Sequence, residues 1–175
     1  MAICNELDAG ISETCDNNTG GVKKIYIAEK DNVSSITHGS PYDTITAISM
    51  VATKKFYEFV FNKNTSTFTE STTGDQAVGS QVCTQTLTLV LNRREQAKRE
   101  VLLKLGNFKD LAVIVLDSND KYFFLGETEG LNMTENSSES GTVKTDRNGY
   151  TITFVGEEPE MASEVDSTII AALLV

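Results

Sequence analysis

The chain has 175 residues, a formal charge of −10, three cysteines, one histidine and no tryptophan. Its length fits one domain, able to bury about 70% of its unfolded surface in a single core, and argues against a second full domain. The charge argues against a protein that grips nucleic-acid phosphates, because such grip comes from clustered Lys and Arg.

No run approaches the roughly 18 apolar residues of a membrane span. The opening "MAICNELDAG" lacks the basic-then-apolar pattern of a signal peptide, so folding in a cytoplasm without a membrane anchor is expected. Residues 1–21, rich in Asn, Asp and Gly, read as an arm, and residues 22–175 as a single β domain. "VKKIYIAEKD" starts the ordered part, with Ile25 and Ile27 on one face and Tyr26 on the other. After a polar turn around "THGSPYD", the stretch "TITAISMVATKKFYEFVFN" supplies one or two strands, with Tyr57, Phe59 and Phe61 sharing a face. In residues 62–81, "NKNT" supplies the turn and "STFTESTTGDQAVGSQ" is a Thr- and Ser-rich return strand running into a Gly-bearing loop. That excursion is much longer than the about 2–5 residues of an economical hairpin turn.

"TQTLTLVLN" is the clearest strand: Leu87, Leu89 and Leu91 point one way, Thr86, Thr88 and Val90 the other. Asn92 followed by Glu95 resembles a capping box, and Ala97, Val101, Leu102 and Leu105 form an apolar stripe ending at Gly106, which predicts one substantial helix over 93–105. "LAVIVLD", the turn "SND" and "KYFFLGE" make a hairpin whose first strand is apolar on both faces and therefore central. In "YTITFVG", Tyr150, Ile152 and Phe154 alternate with Thr151, Thr153 and Val155, and "DRNG" supplies the preceding turn. The fold class is mainly β: seven to nine strands as a β-sandwich or small barrel with one flanking α-helix.

Chemistry is sparsely provided. Cys4, Cys15 and Cys83 have no metal-site spacing; Cys4 and Cys15 can close a small loop if oxidised, but reduced thiols, with Cys83 as buried structure, are the expectation. His38, the only histidine, reads as a solvated loop residue. No catalytic constellation, cofactor motif or metal site is expected. "GSQVCTQT" is not a nucleophile elbow, and "DSND" lacks the Gly and distal Glu of a calcium loop. Adjacent Glu157 and Glu158 point to opposite sides of an extended chain. Two charge features stand out instead. Between Arg93 and Lys104 lie five bases, among them Arg93, Arg94, Lys98 and Arg99, against two acids; after "YTITFVG" come five carboxylates and no base, among them Glu157, Glu158, Glu160 and Glu164. Either each is a solvated face, or the helix meets the acidic run within the subunit or on a neighbour.

The order of these elements resembles the tail-tube family of bacteriophage structural proteins. The likeness spans roughly residues 82–160: "TQTLTLVLN", the helix "RREQAKREVLLKLG", the hairpin "LAVIVLDSNDKYFFLGETEGL" and the closing "GTVKTDRNGYTITFVGEE", worded as in phages of Bacteroides-type hosts. The resemblance implies a self-assembling virion protein, made in the host cytoplasm. On that resemblance it is expected to form rings, commonly hexameric or a multiple of six, as part of the tail or neck conduit. The partners it implies are copies of the chain and other tail, neck or portal proteins, with genomic DNA passing without sequence-specific binding. An acidic lumen suits such passage, since DNA carries one negative charge per about 1.7 Å of axis and a basic wall would hold it. The resemblance also implies a projecting arm near Thr65–Thr73, carrying Thr65, Thr67, Phe68, Thr69 and Thr72, that orders on contact with a neighbour; the alternative is a stretch that is simply disordered. The C-terminal "STIIAALLV", apolar at seven of nine positions including Ile169, Ile170, Leu173 and Leu174, is expected to be buried by assembly. The competing readings are a non-enzymatic β-sandwich binding or decoration module, at the virion surface or for host adhesion, and an unrecognised hydrolase.

Overall fold

A computed structural model describes residues 10–13, 15–40, 44–75, 77–107 and 109–175. Its strands are β1 (Val22–Glu29), β2 (Val33–His38), β3 (Ile45–Met50), β4 (Tyr57–Phe59), β5 (Thr67–Asp75), β6 (Ser80–Asn92), β7 (Leu111–Asp117), β8 (Tyr122–Leu125), β9 (Asn132–Glu139), β10 (Gly149–Glu158) and β11 (Ser163–Val165), and its helices are α1 (Gln96–Leu105) and α2 (Ser167–Leu173). Seven strands form one sheet in the order β2-β3-β11-β8-β7-β1-β4, and four form the other in the order β5-β6-β10-β9. Neither closes into a barrel, so the architecture is the sandwich. No described helix is long and apolar enough to cross a membrane.

Period-two alternation builds the interior between the sheets. Leu87, Leu89 and Leu91 of β6 stand opposite Phe154, Ile152 and Tyr150 of β10. All six face Ile25 and Ile27 of β1 and Leu111, Val113 and Val115 of β7 across the core. β7 is central and apolar on both faces because its other side, Ala112 and Ile114, belongs to a second core with Tyr26, Ile45, Phe56, Phe124 and Val165. The Phe56 and Phe124 rings meet there edge to face, 6.2 Å between centroids.

Helix α2 covers that second core, which corrects the expectation for the C-terminus. Ile170 and Leu173 are 3% and 5% exposed within the single chain, and Ile169 and Leu174 pack beside them, partly buried. Leu173 O accepts from Phe56 N at 2.9 Å. The burial of this segment therefore requires no second subunit. Asp166 caps α2, its Oδ1 accepting from Thr168 N and Thr168 Oγ1, both at 2.8 Å. The Thr168 N–H, and then its hydroxyl, hold the Asp166 carboxyl below its ordinary value of 3.8. A depressed folded value means the cap stabilises fully above the unfolded value and is lost as pH falls through the folded one. Asp166→Ala should therefore melt below wild type at neutral pH. The gap should close on acidification below about pH 3.8, and a gap that persisted in acid would show that the cap contributes nothing through its charge.

α1 begins at Gln96, three residues later than expected, and the capping box is not made: Glu95 is the N-cap and makes no side-chain capping bond. Asn92 is still the last residue of β6, paired with Gly149, and Arg93 turns the chain at φ +63°. Gly149 is required at that junction, because a Cβ there would lie 2.1 Å from Leu91 O. The stripe of α1 is also less buried than its spacing predicts. Leu102 reaches the core and Leu105 packs beside it half-buried, while Ala97 and Val101 are exposed.

Candidate functional site

The acidic run divides by strand parity. Glu157 is exposed, whereas Glu158 is only 3% exposed and lies on the same face of β10 as Ile152 and Phe154. Glu158 Oε2 accepts from Thr128 N at 2.8 Å, and its Oε1 from Glu129 N and Gly130 N, both at 2.9 Å. The carboxylate thus holds the β8–β9 connection against β10 and is not available to the helix. Glu164 pairs with Lys121 at 2.6 Å, an exposed contact that solvent screens. Glu157 and Glu160 alone of the four named acids are exposed with no cationic partner among the described residues.

The basic segment answers largely to itself. Arg93 Nε lies 2.9 Å from Glu95 Oε1, and Lys98 Nζ 3.4 Å from Glu95 Oε2. Lys98 also donates to Asn92 O at 2.6 Å. Arg94 and Arg99 are exposed and have no carboxylate partner among the described residues. Within one chain the acidic run and the helix form no ion pair among the described residues, so the intrasubunit form of that expectation is corrected; a contact across subunits has Arg94, Arg99 and Lys104 on one side and Glu157 and Glu160 on the other to draw on.

Most of the residues expected to form a projecting arm lie inside the sheet, and the exposed part of the hairpin lies farther along the chain. Thr67, Phe68 and Thr69 pair with Thr88, Leu87 and Thr86 inside the four-stranded sheet, and Phe68 packs on the core. Thr65 precedes the strand, its Oγ1 donating to Asn62 O at 2.7 Å. β10 accompanies β6 only as far as the Glu158–Cys83 pair. Beyond it the β5–β6 hairpin continues through Thr73–Val82, Gly74–Gln81 and Asp75–Ser80. Every described residue from Ser71 to Val82 is exposed. Thr72, opposite Cys83, stands where the projection begins.

A polar cleft of about 350 Å³ lies between the sheets at the β8–β9 connection. Gln85 Oε1 accepts from Gly126 N at 3.0 Å, and Gln85 Nε2 donates to Glu70 Oε1 at 3.3 Å. Glu70 Oε1 also accepts from Ala162 N at 2.6 Å. His38 is not a loop residue: it ends β2, half-buried, with Nε2 2.5 Å from Glu127 Oε1. Ser163 Oγ donates to the other oxygen of Glu127 at 3.3 Å. Serine and histidine thus share a carboxylate and do not bond to each other, whereas a nucleophilic relay needs the hydroxyl on the imidazole. Burial pushes the Cys83 thiol up, away from the thiolate a nucleophile needs. Cys15 is exposed, and Cys4 lies outside the described residues. Among the described residues no group of three or more His, Cys, Asp or Glu is placed to hold a metal ion.

A second, larger groove of about 780 Å³ runs between α1 and the ends of β1 and β4. Its floor is Ile27, Leu91, Leu102 and Leu111; its walls are Ala97, Val101 and Leu105 on one side and Tyr57, Phe59 and Val60 on the other. Lys54, Lys55, Lys98, Lys104 and Lys109 stand around it with Glu29 and Glu58. Sequence reasoning assigned the helix stripe to the core and passed over Lys54, Lys55 and Lys109. The available signal was "VATKKFYEFV", two lysines beside an alternating aromatic run.

Comparison of the chain with family models, with curated proteins and with solved structures finds no match.

Proposed function

We propose that the chain is a self-assembling virion structural protein that forms rings in the tail or neck conduit of a phage, through which DNA passes. The observation that carries this reading is the β5–β6 hairpin, which runs three residue pairs beyond the last β10 pair with both strands exposed. Backbone carried past its own sheet gains nothing for the single domain. It is suited to pairing or packing against a neighbour. The outward face of the four-stranded sheet supports the same reading, since Thr86, Thr88, Thr151 and Thr153 give its central strands a polar β-forming surface. The charge of −10 suits a wall along which DNA slides.

The test is direct observation of the purified protein by mass photometry and negative-stain microscopy, with rings or stacked rings expected. Monomers at every concentration would overturn the reading in favour of a binding module. A trimmed variant isolates the hairpin. Thr72 and Cys83 are cross-strand partners, so replacing residues 73–82 with Asn-Gly closes the strands with a two-residue turn. The circular-dichroism spectrum and melting temperature should stay close to wild type while ring formation or stacking is lost. Unimpaired assembly by this variant would remove the hairpin from the mechanism.

A further inference from the structure

We infer that the groove beneath α1 is the receptor for the acidic N-terminal arm of a second copy of this chain; the inference rests on the self-assembly proposed above and names its surface and its occupant. The groove is apolar where it is open. Val101 is 42% exposed on the helix wall and Val60 79% on the strand wall, so both sides present apolar side chains to water rather than to each other. β4, which supplies that second wall, is the edge strand of the seven-stranded sheet. Apolar surface beside an unpaired strand edge marks an interaction site.

Charge selects the occupant. Glu29 is paired with Lys109, Glu58 with Lys24 and Lys98 with Glu95. Lys104 has no carboxylate partner among the described residues, Lys54 acts on Glu29 only as a neighbouring charge behind the Glu29–Lys109 pair, and Lys55 donates to Ala172 O. The rim is therefore a positive margin on a chain of charge −10. The segment that complements it is residues 1–16, which contains Glu6, Asp8, Glu13 and Asp16 and no Lys or Arg. Ile3, Leu7 and Ile11 recur in it every fourth residue, a spacing that would put all three on one stripe if the segment coiled on docking.

The described part of the arm is anchored away from its own groove. Asn119, in the β7–β8 turn, holds it by accepting from Thr19 N at 2.8 Å and donating to Asn18 Oδ1 at 3.0 Å. This turn lies at the Val22 end of β1, and the groove lies at the Glu29 end, about 23 Å away at the rise of a strand. No described arm residue lines the groove, and Ile11 is fully exposed. An apolar side chain in water on an acidic tether and an open apolar groove with a basic rim are thus separated on one chain and complementary between two.

Two variants of the full protein test this. One lacks residues 1–13; the other carries Lys54→Glu, Val101→Glu and Lys104→Glu, all at exposed positions. Each should keep the wild-type melting transition and lose self-association by at least about tenfold in Kd. Mixed in equal amounts they should associate, the arm of the groove variant seating in the intact groove of the armless one. In a Cys4→Ser, Cys15→Ser background, Ile11→Cys on one copy and Val60→Cys on a copy of different mass should then join as a mixed disulfide when oxidised glutathione is added as the oxidant, releasing two equivalents of reduced glutathione. A wild type that assembles alongside two variants that assemble equally well would overturn this inference alone. A wild type that stays monomeric would overturn the self-assembly reading with it. With both substitutions placed in one chain, a disulfide forming only within that chain would show that the arm folds back at home.

Discussion

Glu158→Ala is expected to lower the melting temperature by roughly 6–12 °C, about 3 kcal/mol in a domain of this size, while Glu157→Ala leaves it unchanged. The two carboxylates are neighbours in sequence and opposites in environment. Glu157 is in water, and Glu158 accepts three backbone N–H groups from Thr128, Glu129 and Gly130. Truncation strands three donors, each costing about 1–3 kcal/mol if water does not replace the acceptor. Water reaching the cleft recovers part of that loss, which places the net effect near the lower end of the sum. Glu158→Gln keeps one acceptor oxygen and the side-chain shape and should lose less, about 1.5–3 kcal/mol for bonds to a charged group. Thermal melts followed by circular dichroism rank the variants. Hydrogen exchange at residues 128–130 reports the local loss. Equal melting of the Glu157 and Glu158 variants would mean that the buried carboxylate does not hold the β8–β9 connection.

Parity along β10 already contained that distinction. Tyr150, Ile152 and Phe154 are core, and two further steps of two reach Glu158. The alternation is legible and places Glu157 and Glu158 on opposite sides, but a carboxylate on the core face announces neither its burial nor the backbone donors that will meet it. The two-faced apolar run of β7 and the leucine face of β6 were legible for the converse reason: their own side chains state how many faces are covered. What the sequence does not carry locally is which distant group will meet a side chain. Nothing near His38 announces Glu127, 89 residues away. Asn92 and Glu95 satisfy the local rule for a helix start, yet Asn92 is held in the sheet by Gly149, a partner supplied from far along the chain. The stripe of α1 fails in the same way. Its spacing establishes an apolar face, but whether that face meets the core or a groove depends on where β4 ends. For α2 the cap was written in plain view as Asp166 before Ser167 and Thr168, and an apolar terminal segment was read as a surface awaiting a partner.

That last difference carries the largest expected effect. Deleting residues 167–175 should unfold the chain, or leave it melting far below wild type, whether or not it assembles. Ile170 and Leu173 are core residues, and removing such a side chain costs about 2–5 kcal/mol each. The deletion also uncovers Phe56, removes the Leu173 O acceptor for Phe56 N and the Val175 N donor to Phe56 O, and strips the outer face of the seven-stranded sheet around Ile45 and Phe124. Against a total stability of about 5–15 kcal/mol for a domain, these losses leave little margin. Leu173→Ala is the milder probe, expected to cost about 3 kcal/mol and roughly 6–12 °C. Urea melts of wild type and Leu173→Ala at several protein concentrations separate the two roles of this segment, because a core defect shifts the midpoint equally at all of them and an assembly defect does not. A truncated chain with the wild-type midpoint and slope, failing only to assemble, would return the C-terminus to the subunit seam and leave the second core closed by something other than α2.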